Sequence, residues 1–467
     1  VIYKFSPIGK SNQLNIKIFV FSIFLSYAVF ILLKSFNFDS KIILITILLP
    51  LIIILLFNFN TLKYLFLLSL FTNYFLFGLY LSVFIGVSLL PAFLLSYRKV
   101  NLDIFNTPLT VPVLIYYAAI IPSIFNSSNI LLTLYLTLNL HAIVILLFIL
   151  GYTLRDYKDI RKVLLTFVVL VTLDALDVIF LALTKGGRTF GFSGVVFVDY
   201  SAILIVPLLL MLLFDYSKNK KLFSIAIIII LTGLIFSQTR NSFISLILTF
   251  LSVFVFIIFK SDKFRLPKWK LIRLFLSSII LGAVLIYLLT VFTPDSFKRF
   301  EELNNGKTIT VRTEDDLTTN SLLTRLLIWD TAINAFNKHP IIGIGIYSFP
   351  FESKQFYTIS KRLYKAFVEG LSPHVTFIAN LAETGIIGFL GFIILLGSAI
   401  ITNFRSVNLA KNEEQKYYSL IILTLQIYIF YSMFLSDAWL WGQCGMLWGV
   451  VLGLSMANYK IIINSRP

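Results

Sequence analysis

The chain has 467 residues, 58% of them hydrophobic and only 13% charged, with a mean hydropathy of +0.92. Such a composition excludes a soluble domain of any class, because most of the chain's surroundings must be lipid. The 39 Lys and Arg against 22 Asp and Glu leave a charge of +17, which on a soluble protein would point to a polyanion but in a membrane chain points to basic inner loops, and no nucleic-acid partner is expected.

Backbone amides in hydrocarbon must be satisfied within their own segment, and the apolar runs are continuous rather than alternating. The expected fold class is therefore all-α, a polytopic helical membrane protein. Lys4, Lys10 and Lys17 precede an apolar run at 18–33 that lacks a small-residue cleavage site, which reads as an uncleaved first span. Further apolar runs follow at 42–57, 62–95, 108–125, 130–150, 163–183, 195–214, 222–238, 242–259 and 273–292. After a polar stretch three more appear, at 375–402, 417–434 and 439–457. The 62–95 run is either one tilted helix or a tight hairpin around Phe77-Gly78, so about 12 to 14 spans are expected. Residues 1–292 would form an N-terminal bundle, 293–373 one long extracytoplasmic loop and 374–467 the last helices, all of them one integrated membrane domain.

Basic clusters set the expected orientation. Arg155/Lys158/Arg161/Lys162, Lys218/Lys220/Lys221 and the run from Lys260 to Arg273 fall on one side by simple alternation. Arg98/Lys99, Arg405/Lys411/Lys416 and Lys460 join them if 62–95 is a hairpin. That side reads as cytoplasmic, which puts 293–373 outside. This outer segment carries Trp329 and an amphipathic run, Leu322, Leu323, Leu326, Leu327, Thr331, and is expected to fold against the bundle.

Polar chemistry gathers at the outer boundary. Arg240 sits in a polar break between two apolar runs; it either snorkels to lipid phosphate or clamps an anion, since guanidinium presents a planar fork to diphosphate oxygens. Arg325 lies on the amphipathic run, as a surface partner of Asp330 or as a second anion contact. Arg188, in Lys-Gly-Gly-Arg-Thr-Phe-Gly, is in a loop whose glycines allow backbone to approach a ligand or merely turn. Among three histidines, His141, mid-helix, reads as a core or packing residue and His339, before Pro340, as part of a turn. His374 follows Pro373 where the outer segment meets a span, as a base or as an interfacial anchor. Asp174 and Asp177 share one face of a span, functional or structurally paired. Glu383 either orients an arginine or is a buried packing group.

Nucleotide-binding glycine loops and His-Glu-x-x-His are missing, and Cys444 is the only cysteine, so neither a disulfide nor a thiolate cluster can form within the chain. Three segments together resemble the O-antigen ligase superfamily, which includes the O-antigen ligases and the Wzy-type polysaccharide polymerases. Ser237-Gln-Thr-Arg240-Asn-Ser is similar to the family's Ser-Arg-Gly turn, with Asn241 in place of Gly. Arg325-Leu-Leu-Ile-Trp329, ending in Asn337-Lys-His-Pro340-Ile-Ile-Gly343-Ile-Gly345, resembles its outer-loop signature. Pro373-His374, followed by Leu381-Ala-Glu383-Thr-Gly385, is similar to the third motif, with Val375 where the family typically has Asn.

The resemblance covers residues 185–400 and implies a GT-C-like family fold in a bacterial inner membrane. It implies an enzyme that transfers or polymerises glycan from an undecaprenyl-diphosphate-linked donor on the outer face. The diphosphate would sit on Arg240, Arg325 and Arg188, His374 would be the base, and Glu383, Asp174 and Asp177 would support them. No metal or other cofactor is implied. Partners would be the lipid-linked donor, a glycan or lipid A core acceptor, membrane lipid and, for a polymerase, a chain-length regulator protein. The rival class is a transporter or flippase of lipid-linked sugars, with Asp174, Asp177 and the arginines lining a pathway.

Overall fold

Uncharged runs of Leu, Ile, Phe and Val leave the backbone no hydrogen-bonding partner but itself, and they form helices as expected. The computed structural model describes residues 59–71, 75–76, 79–96, 102–185, 189–214, 220–264, 321–440 and 442–465, with isolated helical positions between 269 and 291. The expected spans at 18–33 and 42–57, and residues 293–320 of the outer segment, lie outside them.

The 62–95 run is two helices, α1 (Phe59–Ser69) and α2 (Leu81–Ser96), joined through a two-residue antiparallel pairing of Phe75–Leu76 with Leu79–Tyr80. Then come α3 (Thr110–Asn126), α4 (Ile130–Leu136), α5 (Leu138–Thr153), α6 (Tyr157–Lys185), α7 (Phe197–Leu213), α8 (Lys220–Phe236) and α9 (Arg240–Phe259). The outer segment supplies α10 (Ser321–Lys338) and α11 (Lys361–Phe367), and the chain continues with α12 (Thr376–Leu409), α13 (Glu413–Ser432) and α14 (Gly442–Asn464). Six stretches among the described residues are long and apolar enough to cross a membrane: Ile130–Thr153, Tyr157–Lys185, Gly194–Leu213, Arg240–Phe259, Thr376–Leu409 and Gly442–Asn464. Side chains such as Val169, Leu173 and Phe180 on α6 and Leu390 and Ile401 on α12 are exposed, as a lipid-facing surface requires. The chain is a multi-pass helical membrane protein.

A stripe of small residues holds the centre together. Gly445, Gly449 and Gly453 recur every four positions on α14 and press against Ile143, Leu146 and Leu150 of α5, which runs parallel to it. A Cβ at Gly449 would lie 2.9 Å from the Ile143 carbonyl oxygen and one at Gly453 2.6 Å from the Leu150 Cβ, so the backbones meet as small-residue motifs allow in lipid. The other helices alternate so that Asn126, Ser193, Arg240, His374 and Asp437 lie at one end of the bundle. Arg155, Lys263, Lys411 and Lys460 lie at the other.

The outer segment has its own small core, including Ile328, Ala332, Phe349, Phe356 and Val368, and it closes on α12 through backbone. Gly385 has φ 62° and ψ −167°, which breaks α12 internally. The freed groups pair with the backbone of residues 340–345: Ile344 N–H donates to Ala382 O at 3.2 Å, Gly345 N–H to Glu383 O at 2.9 Å, Ile386 N–H to Pro340 O at 2.9 Å and Ile387 N–H to Ile341 O at 3.2 Å. Each segment satisfies what the other's departure from helix leaves open. Gly343 has φ 70°, and a Cβ there would meet the Glu383 carbonyl carbon at 2.3 Å. Gly343→Ala combines backbone strain with a main-chain clash, so it should destabilise the protein by on the order of 3 kcal/mol. Thermal melting in detergent checks this, against a Gly397→Ala control, where a Cβ meets nothing within 4 Å.

Candidate functional site

The three motifs meet on a turn that belongs to none of them, Leu435–Ala438, between α13 and α14. The Arg240 motif reaches it first. Gln238, at φ 53°, turns the chain out of α8, and Arg240 opens α9 half-buried. The next residue, Asn241, donates from Nδ2 to Leu435 O at 3.0 Å, so the residue that departs from the family pattern anchors the Arg240 turn to this site.

The His374 motif is held from both sides. Trp329 of α10 donates from Nε1 to Pro373 O at 2.8 Å, while Thr376 N–H donates to Met433 O at 3.0 Å and to Ser436 O at 3.1 Å. Between these anchors His374 adopts φ 57°, a left-handed conformation that a non-glycine residue holds only when its surroundings over-determine it. Its N–H donates to Asp437 Oδ2 at 2.9 Å, and its Nδ1 lies 3.9 Å from Asp437 Oδ1. One carboxylate thus fixes the backbone and faces the ring, and Nε2 is the ring nitrogen directed away. Val375, the other departure, is a buried residue that precedes α12.

Arg325 is half-buried on α10, one turn before Trp329, and acts electrostatically on both Asp437 and His374. The sequence-level alternative of a partner in Asp330 is not what the fold shows: Asp330 accepts from Asn334 at 3.2 Å and Thr358 at 2.7 Å. Burial pushes the Arg325 guanidinium below its usual pKa and Asp437 opposes this, so it stays a cation. Burial likewise holds the His374 imidazole below its usual value, Asp437 pulls it up, and Arg325 pushes it further down. Some 40% of the His374 side chain is open, yet loss of solvation by the packed atoms around it is the largest of the three influences. The net direction leaves the ring neutral at pH 7, the form that accepts a proton.

The remaining candidates act at a distance from His374. Glu383 accepts from the N–H groups of Tyr347 at 2.9 Å and Phe349 at 3.2 Å, capping the left-handed turn at Tyr347, whose φ is 62°. Tyr347 in turn donates from its hydroxyl to Leu440 O at 2.6 Å. Glu383 therefore ties the outer segment to the turn after Asp437. Asp174 is buried and accepts from the Ser193 hydroxyl, with Gly191 packed directly on its carboxylate, so it pins the loop after residue 188. Asp177, a turn further along α6, is half-buried. Arg188 lies outside the described residues. His339 follows α10 in a bend, edge-on to Phe356 and with Nδ1 3.4 Å from Asn126 Nδ2, and His141 is exposed on α5 against Tyr117, not in the core.

Two acids linked to the 435–438 turn stand in none of the sequence motifs. Asp437 is one. The other is Asp199, in the first turn of α7 and buried, where Oδ1 accepts from Tyr428 and from Ser432, each at 3.0 Å. Ser432 accepts from Trp439 Nε1 at 2.9 Å, and Tyr428 is bonded to Ser242. One carboxylate beneath the site thereby connects the helix that begins at Arg240 with the turn that carries Asp437. Asp199→Leu strands two buried hydroxyls and should lose roughly 2 kcal/mol or more of stability, whereas Asp199→Asn keeps the acceptor and should lose less. Comparing the two melting temperatures checks the network. Among the described residues, no three His, Cys, Asp or Glu side chains converge as a metal-holding group.

The class is that of a helical membrane bundle that carries Arg240 at the start of one helix, Arg325 on another and a His–Asp pair at one end. Residues 225–393 match the family model described as O-antigen ligase. The match bears out the resemblance drawn from the motifs: this segment is similar to an O-antigen ligase domain of the ligase and polymerase superfamily. It takes in Arg240, Arg325, His374 and Glu383, while Asp174, Asp199 and Asp437 lie beyond it. No curated protein matches the chain.

Proposed function

We propose that the protein is an inner-membrane glycosyltransferase that moves glycan from an undecaprenyl-diphosphate-linked donor to a glycan or lipid A core acceptor on the outer face, without a metal. The observation that carries this reading is that the Arg240 turn and His374 are both bonded to the 435–438 turn that holds Asp437, while the Arg325–Trp329 helix is bonded to Pro373 beside it. The acceptor hydroxyl oxygen attacks the anomeric carbon, and its proton passes to His374 Nε2. The bond from that carbon to the diphosphate oxygen breaks, and the electron pair leaves with undecaprenyl diphosphate. Attack opposite the leaving group inverts the anomeric centre.

The division of labour follows from charge. Negative charge grows on the departing diphosphate, and preorganised guanidinium groups stabilise it best where water is scarce. Arg240 and Arg325 are assigned to it, with Arg188 as a third contact. Asp437 holds His374 with Nδ1 inward, and Glu383 and Asp174 shape the outer segment and the loop after residue 188. The GT-C-like architecture, the 12 to 14 spans and the division at about 292 and 373 belong to the same proposal. Against a flippase, the three motifs and Asp437 gather at one end of the bundle instead of lining a path through it.

Reconstitution with purified lipid-linked repeat, read as longer or transferred glycan on a gel, tests the activity and distinguishes polymerase from ligase by product. Topology supplies an independent check. A reporter inserted near residue 310 should be active only outside the cytoplasm and one within 262–270 only inside; the reverse pattern would put His374 on the wrong face.

A further inference from the structure

At the end of the bundle opposite His374, a cavity of about 1060 Å³ opens between the ends of α5 and α14 and the linker that precedes α3. The proposed chemistry does not use it. Arg155, Lys460 and Asp103 supply its charge, and Tyr152, Asn464 and Ser465 supply hydroxyl and amide groups. The protein places both cations. Lys460 Nζ donates to the Asp103 main-chain oxygen at 3.0 Å, and the Arg155 guanidinium lies 5.9 Å from the centre of the Tyr152 ring. Two cations against one carboxylate leave the cavity positive.

The depth of the cavity narrows the ligand. It sits where two candidate spans, Ile130–Thr153 and Gly442–Asn464, come to an end, and part of its wall is apolar. A small soluble anion would meet the cations but leave that apolar wall against water. A phosphodiester joined to a glycerol and acyl chains meets both, as basic pockets between spans do at a membrane surface.

We propose that this cavity binds the headgroup of an anionic phospholipid from the leaflet at that face, with Arg155 and Lys460 on the phosphate and Asn464 and Ser465 on the glycerol hydroxyls. The full chain, purified in neutral detergent, would be titrated with phosphatidylglycerol, phosphatidylcholine and inorganic phosphate and read by native mass spectrometry. Phosphatidylglycerol should be retained and phosphatidylcholine lost. Each basic contact to an anionic headgroup is worth about fivefold in affinity, so Arg155→Gln with Lys460→Gln should weaken phosphatidylglycerol about thirtyfold. Each single variant should lose about fivefold, which keeps the test decisive if the pair does not fold. Lys162→Gln, an exposed lysine outside the cavity, should change nothing. Equal retention of phosphatidylcholine, an equal loss in Lys162→Gln, or displacement of the lipid by millimolar phosphate would each overturn the assignment, the last by marking a soluble-anion site.

Discussion

His374→Ala is expected to lower turnover by about a thousandfold, within the range that general bases contribute, while binding of lipid-linked donor stays close to that of the native protein. The base acts only as the hydroxyl proton leaves, so its loss belongs to turnover and not to ground-state affinity. Asp437→Asn should lose on the order of a hundredfold, because an amide at that position no longer favours the imidazolium that forms in the transition state. The pH dependence has a definite sign. A base must be neutral to work, so the rate falls as pH drops through the folded-state pKa of His374, which burial sets below 6.5. Asp437 raises that value and Arg325 lowers it, so the residual activity of Asp437→Asn should have its acid limb at still lower pH. His339→Ala, in a turn at the same end of the bundle, is the control. Transfer at native rate in His374→Ala, or an acid limb that moves up in Asp437→Asn, would refute this assignment.

The same physical cue marks both Arg240 and Asp437: a polar break between two apolar runs. Arg240 drew attention because a lone cation there needs a partner. Asp437 lies in a break only four residues wide, 435–438, and an acid there does not stand out in a chain whose expected anion-binding groups are basic. Asp174 was legible as a buried acid, but its partner Ser193 depends on Gly191 packing against the carboxylate, which no spacing rule encodes. Glu383 pairs with backbone N–H groups, and side-chain motifs are blind to those. The fold shows the same limit. Gly343 falls beside an expected turn and Gly385 inside an expected span, yet what matters is that they face each other through paired backbone, a contact made only once α12 breaks. Hydropathy located the helices well because each must satisfy its own backbone. It carried no information on which polar groups meet across helices distant in sequence.

Arg240→Lys and Arg325→Lys should each reduce transfer by on the order of a hundredfold, the effect of removing one preorganised donor from developing negative charge. In free-energy terms that is about 2.7 kcal/mol of transition-state stabilisation. Total charge is unchanged in these variants, so a site that needed only positive potential would be nearly indifferent to them. A guanidinium offers two parallel N–H groups to two oxygens of one phosphate, and an ammonium offers a point charge that cannot reproduce the fork. The two positions should differ in a second respect. Arg325 also acts on His374, so Arg325→Ala should move the acid limb of the rate profile upward, because a cation that depressed the imidazole pKa has been removed. Arg240→Ala should lose rate with less movement of that limb. Activity in every case should survive EDTA, since guanidinium groups and not a divalent ion neutralise the leaving diphosphate. Near-native rates in both lysine variants, or loss in EDTA with recovery on magnesium, would mean that the diphosphate is held by some other group.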